Sequence, residues 1–389
     1  MHEPSKGLEP FEGRMLRQAQ QDSWFLNWVL VDCLFFLVCF ITRTKILCLS
    51  FPIRLLNNQG VTKKIPSFLY ITMDEAMKYN RYLKNTPNVS AIGLGAWQLG
   101  SNSGWQGMTE KEALELVAKA LGYGINFFDT APNYGHGSGE TRLGKALKGV
   151  DRDRIVINTK FGHTDSGTTN YASNYIRESL EGSLRRLQVD YVDSLLFHNP
   201  PLAYLDGTKN DHYDVLERLV EEGKIKAYGA SLDRFEEMQL LMNTTNAQVI
   251  EAFFNILHQD AARAFELAKE KEVRIIAKIP LDSGWLSGKY TAESTFDDIR
   301  SRWSRADIAT RAHLVTRVKE LVGAEENLAS VALSFCLGYD AISTVIPGNV
   351  SLAQLASNVE PVHRPLSKEL IAQLEAFYLN EVEPLRLPW

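Results

Sequence analysis

Cysteine is scarce in this chain, with four in 389 residues, and three of them (Cys33, Cys39 and Cys48) stand near the N-terminus. Only Cys336 is left for the remainder, so no disulfide framework is implied and a reducing cytosol is the natural home. The eight histidines show no ligand spacing and have no cysteine pair beside them, so no metal site is expected. Positive charge is not in excess either. Lys and Arg number 42 against 47 Asp and Glu, giving a formal net charge of −5, and no basic stripe suggests a nucleic-acid partner. Internal repeats and low-complexity tracts are absent.

Long apolar runs are absent as well, with one exception. The segment 24–42 (WFLNWVLVDCLFFLVCFIT) is long enough to span a bilayer. Its twelve Leu, Ile, Phe and Val residues contribute roughly −4 to −7 kcal/mol on the insertion scale, against about +3 kcal/mol for Asp32. Trp24 and Trp28 suit one interface, and Arg43 and Lys45 the other. No small-residue cleavage site follows, which argues against a removable signal peptide. Two readings stand. Either the segment is an anchor on a membrane, with residues 43–76 as linker, or the start was assigned too early and residues 1–76 are translated upstream sequence. The second implies a cytoplasmic protein.

From Val89 onward, short apolar runs alternate with amphipathic stretches. The strand candidates are Val89–Gly93, Ile125–Asp129, Ile155–Lys160, Asp193–His198, Ala227–Ser231, Val249–Ala252, Arg274–Ile279 and Ser343–Ile346. Helical stretches between them include Thr109–Leu121, Asn174–Leu187, Asp214–Glu222, Ala261–Lys271 and Asn327–Leu337. Thr109 suits an N-cap, with Glu112 at the capping-box position. Leu114, Val117, Ala118 and Leu121 recur at helical spacing. Alternation of this kind implies an α/β fold, a (β/α)8 TIM barrel, for which about 250 residues is usual. An open doubly wound sheet would want a phosphate-binding glycine turn after an early strand. GLGAWQLG has the wrong spacing for one, and no acidic ribose partner follows it.

Four ionisable residues fall at or just beyond the ends of three consecutive strand candidates. Asp129 and Tyr134 lie in INFFDTAPNYG, Lys160 in RIVINTKFG and His198 in VDSLLFHNP. In a barrel of parallel strands these ends share one face, where active sites sit. Singly, each residue has an ordinary structural use as a cap, a turn former or a packing ring. Together they suggest proton transfer to a carbonyl oxygen.

From about Met77 to the C-terminus the chain resembles the aldo-keto reductases. MKYNRYLKNTPNVSAIGLGAWQLG looks like that family's opening hairpin and first strand. FFDTAPNYG is similar to its Asp–Tyr signature, and EEGKIKAYGASL and IPGN to later landmarks. The resemblance implies a barrel over 77–389 preceded by a non-family extension, 1–76. It implies hydride transfer between a nicotinamide and an aldehyde, ketone or sugar carbonyl. Tyr134 would be the proton donor, an acid with an ordinary pKa near ~10 that needs help. Lys160 would favour its phenolate, Asp129 would hold Lys160 charged, and His198 would orient the carbonyl oxygen. The same fold also serves nucleotide-binding regulatory or redox-sensing subunits, which is the alternative.

The resemblance implies a cofactor site only partly matched here. Ser231 corresponds to the serine that binds the nicotinamide carboxamide. Its usual glutamine partner is Glu251, which accepts from the carboxamide NH₂ but cannot donate to its carbonyl. Lys278 replaces the aromatic that often stacks under the nicotinamide, leaving Phe254 or Trp285 to compensate. Leu281, Ser283, Gly284 and Lys289 resemble the loop over the pyrophosphate, and Arg305 a residue near the adenosine phosphate. Gly348, Gln354 and Asn358 match positions around the adenosine, at a helix start that offers N–H groups to an anion. Basic residues that would grip a 2′-phosphate are missing from 348–358, leaving Arg305 and Lys289. NADP(H) is favoured, with NAD(H) or dual use as the alternative. Trp97, which also counts among the expected cofactor contacts, and Trp105, residues 199–210 and the stretch from Trp285 to Trp303 would wall the substrate pocket.

Overall fold

The computed structural model describes residues 77–100, 107–323 and 326–388. The extension 1–76 with its apolar segment 24–42, and Trp105, lie outside the described residues. No helix among those described is long and apolar enough to cross a membrane.

The described chain opens with a short antiparallel hairpin, β1 (Tyr79–Asn80) against β2 (Val89–Ser90). Eight parallel strands follow. They are β3 (Leu94–Gly95), β4 (Phe127–Asp129), β5 (Val156–Phe161), β6 (Val192–His198), β7 (Ile225–Leu232), β8 (Val249–Phe253), β9 (Arg274–Lys278) and β10 (Ile342–Ile346). Each pairs with the next in chain order. The ring closes through the bridges Ile92↔Val345 and Gly95↔Gly348. This is the (β/α)8 barrel.

One strand assignment is corrected. Val89–Gly93 is not the first barrel strand, because Val89 and Ser90 are spent on the hairpin, paired with Asn80 and Tyr79. Barrel pairing takes over at Ile92, which bridges Val345, and the strand proper is Leu94–Gly95. Gly93 makes the junction, for a Cβ there would lie 2.9 Å from the Phe127 ring and 3.1 Å from Ile346, with no room to spare.

Helices fill the connections: α1 (Glu110–Gly122), α2 (Ser138–Leu147), α3 (Tyr175–Leu187), α4 (His212–Glu221), α5 (Phe235–Thr244), α6 (Phe265–Glu270), α7 (Arg305–Val322), α8 (Leu328–Leu337), α9 (Leu352–Val359) and α10 (Lys368–Phe377). Thr109 caps α1 in a full capping box with Glu112. Ala261–Lys271 is not one helix. Its first turn winds as a 3₁₀ segment, Asp260–Ala264, before α6 begins.

Strand alternation sorts the barrel interior into layers. The lower layer is apolar, built from Val89, Phe127, Val156, Leu196, Ala227, Val249, Ile276 and Ile346. Tyr82 of the hairpin plugs this end, its ring edge-on to Phe127 at 5.5 Å. Further along the strands the inward positions turn polar: Asp129, Asn158 and Glu251 stand two residues past Phe127, Val156 and Val249, and Ser231 four past Ala227, all buried, while Ser194, two before Leu196, lies level with Ala227. The acid–base groups therefore sit above a mostly apolar floor, in which the Tyr82 and Ser194 hydroxyls bond each other at 2.8 Å.

Candidate active site

Lys160 is the centre of the site. It is the fifth residue of β5, two after Asn158 on the same inward face, and its side chain is fully buried. Its ammonium donates to Asp129 Oδ1 at 2.7 Å and Oδ2 at 2.8 Å, to the Thr130 carbonyl at 3.2 Å and to the Tyr134 hydroxyl at 3.3 Å. A second carboxylate oxygen, Glu251 Oε2, lies 3.1 Å away. Burial works against the lysine's charge, but Asp129 and Glu251 outweigh it and hold its pKa well above the ordinary value.

Tyr134 is carried by the turn after β4. Its N–H meets the Ala131 carbonyl, and its own carbonyl accepts from Gly139 at the start of α2. Trp97, just beyond β3, stacks on the Tyr134 ring with centroids 5.7 Å apart and planes 12° from parallel. Arg142 of α2 pins that stretch by donating to the carbonyls of Leu99 (2.6 Å) and Met108 (2.8 Å). Burial pushes the phenol above its ordinary pKa, and Lys160 only partly offsets this. Lys160 acts in the expected direction, yet burial wins, so Tyr134 is protonated at neutral pH and is a donor in waiting.

His198 ends β6 and meets Tyr134 edge-on, centroids 6.0 Å apart at 84°. His163 stacks on its other side at 4.5 Å. Tyr171 fixes the backbone beneath by donating to the His198 carbonyl at 2.6 Å. Gly162 lets the Tyr171 ring come that close: its φ is +108°, and a Cβ there would lie 2.2 Å from the ring. Burial first, then Lys160, His163 and Lys278, hold His198 well below its ordinary pKa. It is a neutral imidazole, able to donate one N–H. Its Nδ1 is buried with no hydrogen-bond partner among the described residues.

The residues matched to a nicotinamide continue around the same rim. Strand register places Ser231 opposite both His198 and Glu251. Ser231 Oγ donates to Glu251 Oε1 at 3.2 Å and accepts from Lys278 Nζ at 2.8 Å. Lys278 also reaches Asn199 Oδ1 at 2.9 Å and Asp233 Oδ1 at 2.8 Å. The two rings expected to compensate for the missing aromatic do not. Phe254 is buried against Phe265, Phe335 and Tyr339, and Trp285 against Tyr290, Phe296 and Trp303. Both point into the outer wall of the barrel because their neighbours on α6, α8 and the segment after β9 are aromatic.

The remaining expected contacts are spread along the loops after β9 and β10. Leu281, Ser283 and Gly284 lie in a tight turn over 281–288, where Asp282, Ser283 and Gly284 have positive φ (44°, 53° and 92°). A buried pair, Arg311 Nε to Asp282 Oδ2 at 3.4 Å, anchors that turn. Lys289 is exposed, over the Tyr290 ring at 4.8 Å, and Arg305 is exposed, donating to the Ser294 carbonyl at 2.9 Å. After β10, Gln354 Oε1 accepts from Val350 N–H at 2.9 Å. Asn358 Nδ2 donates to Asn349 Oδ1 at 2.9 Å and to the Gly348 carbonyl at 3.4 Å. Gln354 and Asn358 thus shape the loop that carries Gly348.

Several residues of the site went unrecognised in the sequence. Asn158 donates to Asp129 Oδ2 at 2.5 Å and accepts from Ser194 Oγ at 2.6 Å. Its position two before Lys160 is the signal that would have found it. Asp233 stands two after Ser231, while Asn199, directly after His198, belongs to the stretch 199–210 expected to wall the pocket. His163 carried no sequence signal of its own.

The sequence profile of the Aldo/keto reductase family matches residues 91–379. Among characterised relatives, Aldo-keto reductase YhdN of Bacillus subtilis (strain 168) is 33% identical over 240 residues, 58% of this chain and 69% of its own. L-galactose dehydrogenase of Arabidopsis thaliana is 29% identical over 322 residues, 79% of this chain and 96% of its own. The solved holo form of aldo-keto reductase AKR11C1 from Bacillus halodurans superimposes with a TM-score of 0.65 at 28% identity, covering 77% of this chain and 96% of that one. With that profile spanning most of the sequence, the chain belongs to the aldo-keto reductase family.

Proposed function

We propose that the chain is an NAD(P)H-dependent oxidoreductase that interconverts an aldehyde, ketone or sugar carbonyl and its alcohol. The observation that carries this reading is the Tyr134 hydroxyl 3.3 Å from the Lys160 ammonium, itself held by Asp129 at 2.7 Å, with a neutral His198 beside the ring. As a carbonyl is reduced, negative charge grows on its oxygen. Tyr134 O–H passes its proton there, and Lys160 stabilises the phenolate left behind. His198 donates an N–H to the same oxygen and fixes its direction. In alcohol oxidation each transfer reverses, with the phenolate as base.

A nicotinamide bound at this rim would supply or accept the hydride. The donor set fits its carboxamide. Glu251 accepts from the NH₂, and Lys278 or Ser231, by exchanging one of its present partners, would give the carbonyl the donor that a glutamate cannot. The turn 281–288 and the start of α9 are the proposed cradle for the phosphates. Arg305 and Lys289 are the proposed partners of a 2′-phosphate, so NADP(H) is favoured and NAD(H) is the alternative. The rim beside His198 is polar, with His163, Asn199 and Lys278, and the relative named L-galactose dehydrogenase adds support for a sugar as substrate class.

The test is turnover on a panel of aldoses, including L-galactose, and of small aldehydes, read by reduced-nicotinamide absorbance. Tyr134→Phe keeps the ring and removes the acid, and is expected to lower kcat by on the order of 10²–10⁴ with cofactor binding retained. Equal kcat for Tyr134→Phe and the native chain would sink the assignment.

A further inference from the structure

The site holds one more carboxylate than the proton transfer requires. Glu251 is 3% exposed, on the inner face of β8, with Oε2 3.1 Å from Lys160 Nζ. Asp129 Oδ2 is 2.8 Å from the same nitrogen. The two oxygens also share Asn158 Nδ2, at 2.5 Å from Asp129 Oδ2 and 3.5 Å from Glu251 Oε2. Two carboxyl groups that share two neighbours in this way lie side by side. One buried ammonium does not neutralise two buried carboxylates, and like charges this close do not both ionise readily.

We propose that Glu251 is a positioning residue for the proton transfer: it shares one proton with Asp129 beneath Lys160, and release of that proton at alkaline pH adds a negative charge that keeps Tyr134 protonated. The inference rests on the oxidoreductase reading for its catalytic consequence; the shared proton rests on the geometry of the pair and the charges around it.

The charges facing the pair support this. Lys160 of β5 faces both carboxyls, and Lys278 of β9 reaches Glu251 through Ser231. His198 of β6 is neutral, and the Tyr82 phenol of the hairpin and the Tyr134 phenol after β4 are both held protonated, by burial first. Burial and Glu251 push the Asp129 carboxyl up to about 8. Against burial, Lys160 and Lys278 hold Glu251 below its ordinary value. The extra proton therefore resides mainly on Asp129, and the pair titrates as one unit. Below that transition the cluster of Lys160, Asp129 and Glu251 is neutral. Above it the cluster carries one negative charge next to the Tyr134 hydroxyl. An uncharged glutamine at 251 would leave Lys160 and Asp129 as a neutral pair throughout, and Tyr134 would ionise sooner.

The experiment compares the full native chain with Glu251→Gln. In carbonyl reduction, the alkaline fall of kcat is expected on the order of one to two pH units earlier in Glu251→Gln. Glu251→Asp, which keeps a carboxylate, is expected to restore much of the native profile. A second arm needs no turnover: thermal unfolding from about pH 5 to about pH 9. A carboxyl whose folded pKa is raised contributes stability that is complete below its unfolded pKa and lost as pH climbs through the folded one. The native chain is expected to lose stability across that window and Glu251→Gln to stay flatter. Superimposable stability curves overturn the shared proton, whether or not any carbonyl is turned over. A flatter Glu251→Gln curve with identical kcat profiles supports the shared proton and overturns its effect on Tyr134. If Glu251→Gln does not fold, infrared difference spectra of the native chain decide: a buried protonated carboxyl at neutral pH that titrates above it supports the proposal, and none overturns it.

Discussion

Replacing Lys160 by Met removes a fully buried ammonium and leaves Asp129 and Glu251 facing each other across an apolar side chain. Breaking a buried ion pair from one side costs about 3–5 kcal/mol. Here two carboxyls lose their cation, so the upper part of that range applies when both are charged. The loss has an outlet, because the carboxyls can take up protons. Lys160 is the largest influence lowering Asp129, and the largest lowering Glu251. Without it both carboxyls are raised. A raised carboxyl favours the fold only below its unfolded pKa, and that contribution disappears as pH climbs through the folded value. The destabilisation is therefore expected to be modest near pH ~5 and to grow by up to ~1.4 kcal/mol per pH unit for each carboxyl that must ionise. Against a total stability of about 5–15 kcal/mol this is a large fraction. Urea unfolding of Lys160→Met and the native chain at acid and alkaline pH measures it. A stability gap that does not widen with pH would refute the reasoning. So would a gap below ~1 kcal/mol at alkaline pH. Turnover is expected to fall as well, since Tyr134 loses the charge that stabilises its phenolate.

Two further outcomes are expected. Arg305→Ala is expected to weaken NADPH more than NADH, by several-fold, in a direct fluorescence titration, because an exposed guanidinium is a charge-assisted partner only for the extra phosphate. Equal losses for both would show that Arg305 does not meet the 2′-phosphate. Arg186→Ala strands the fully buried Glu140, whose Oε2 accepts from Arg186 Nε at 2.7 Å while Oε1 accepts from Thr159 Oγ1 at 2.6 Å. A loss of about 3 kcal/mol is expected by chemical denaturation, and a value under ~1 kcal/mol would mean that Glu140 finds its proton or a partner at little cost.

The barrel was readable from local pattern, since seven of the eight strand candidates overlap a barrel strand by all but a residue or two. Each is an apolar run buried on both faces, and such runs read clearly without knowledge of their neighbours. Val89–Gly93 misled for a physical reason. A short apolar run in a hairpin and one in a barrel look alike, and only the pairing of Val89 with Asn80 tells them apart. The four proposed acid–base residues drew notice in the sequence because Asp129, Lys160 and His198 sit where an apolar run ends in an ionisable group, with Tyr134 in the turn just beyond. Phe254 and Trp285 were misread because the direction of an aromatic ring depends on what packs against it. The nearest packing partners of Phe254 are over ten residues away in sequence.

What the sequence determined by itself was the alternation that makes the barrel and the order of residues that puts Asp129, Tyr134, Lys160 and His198 at one end of it. Period and position suffice for that, because parallel strands in chain order bring their C-terminal ends to a common face. What only the tertiary structure decided was the charge state of the site. Glu251 lies 91 residues from Lys160 along the chain, yet their charged atoms are 3.1 Å apart. The energy of a charge depends on burial and on the sum of its neighbours, and neither is a property of any one segment.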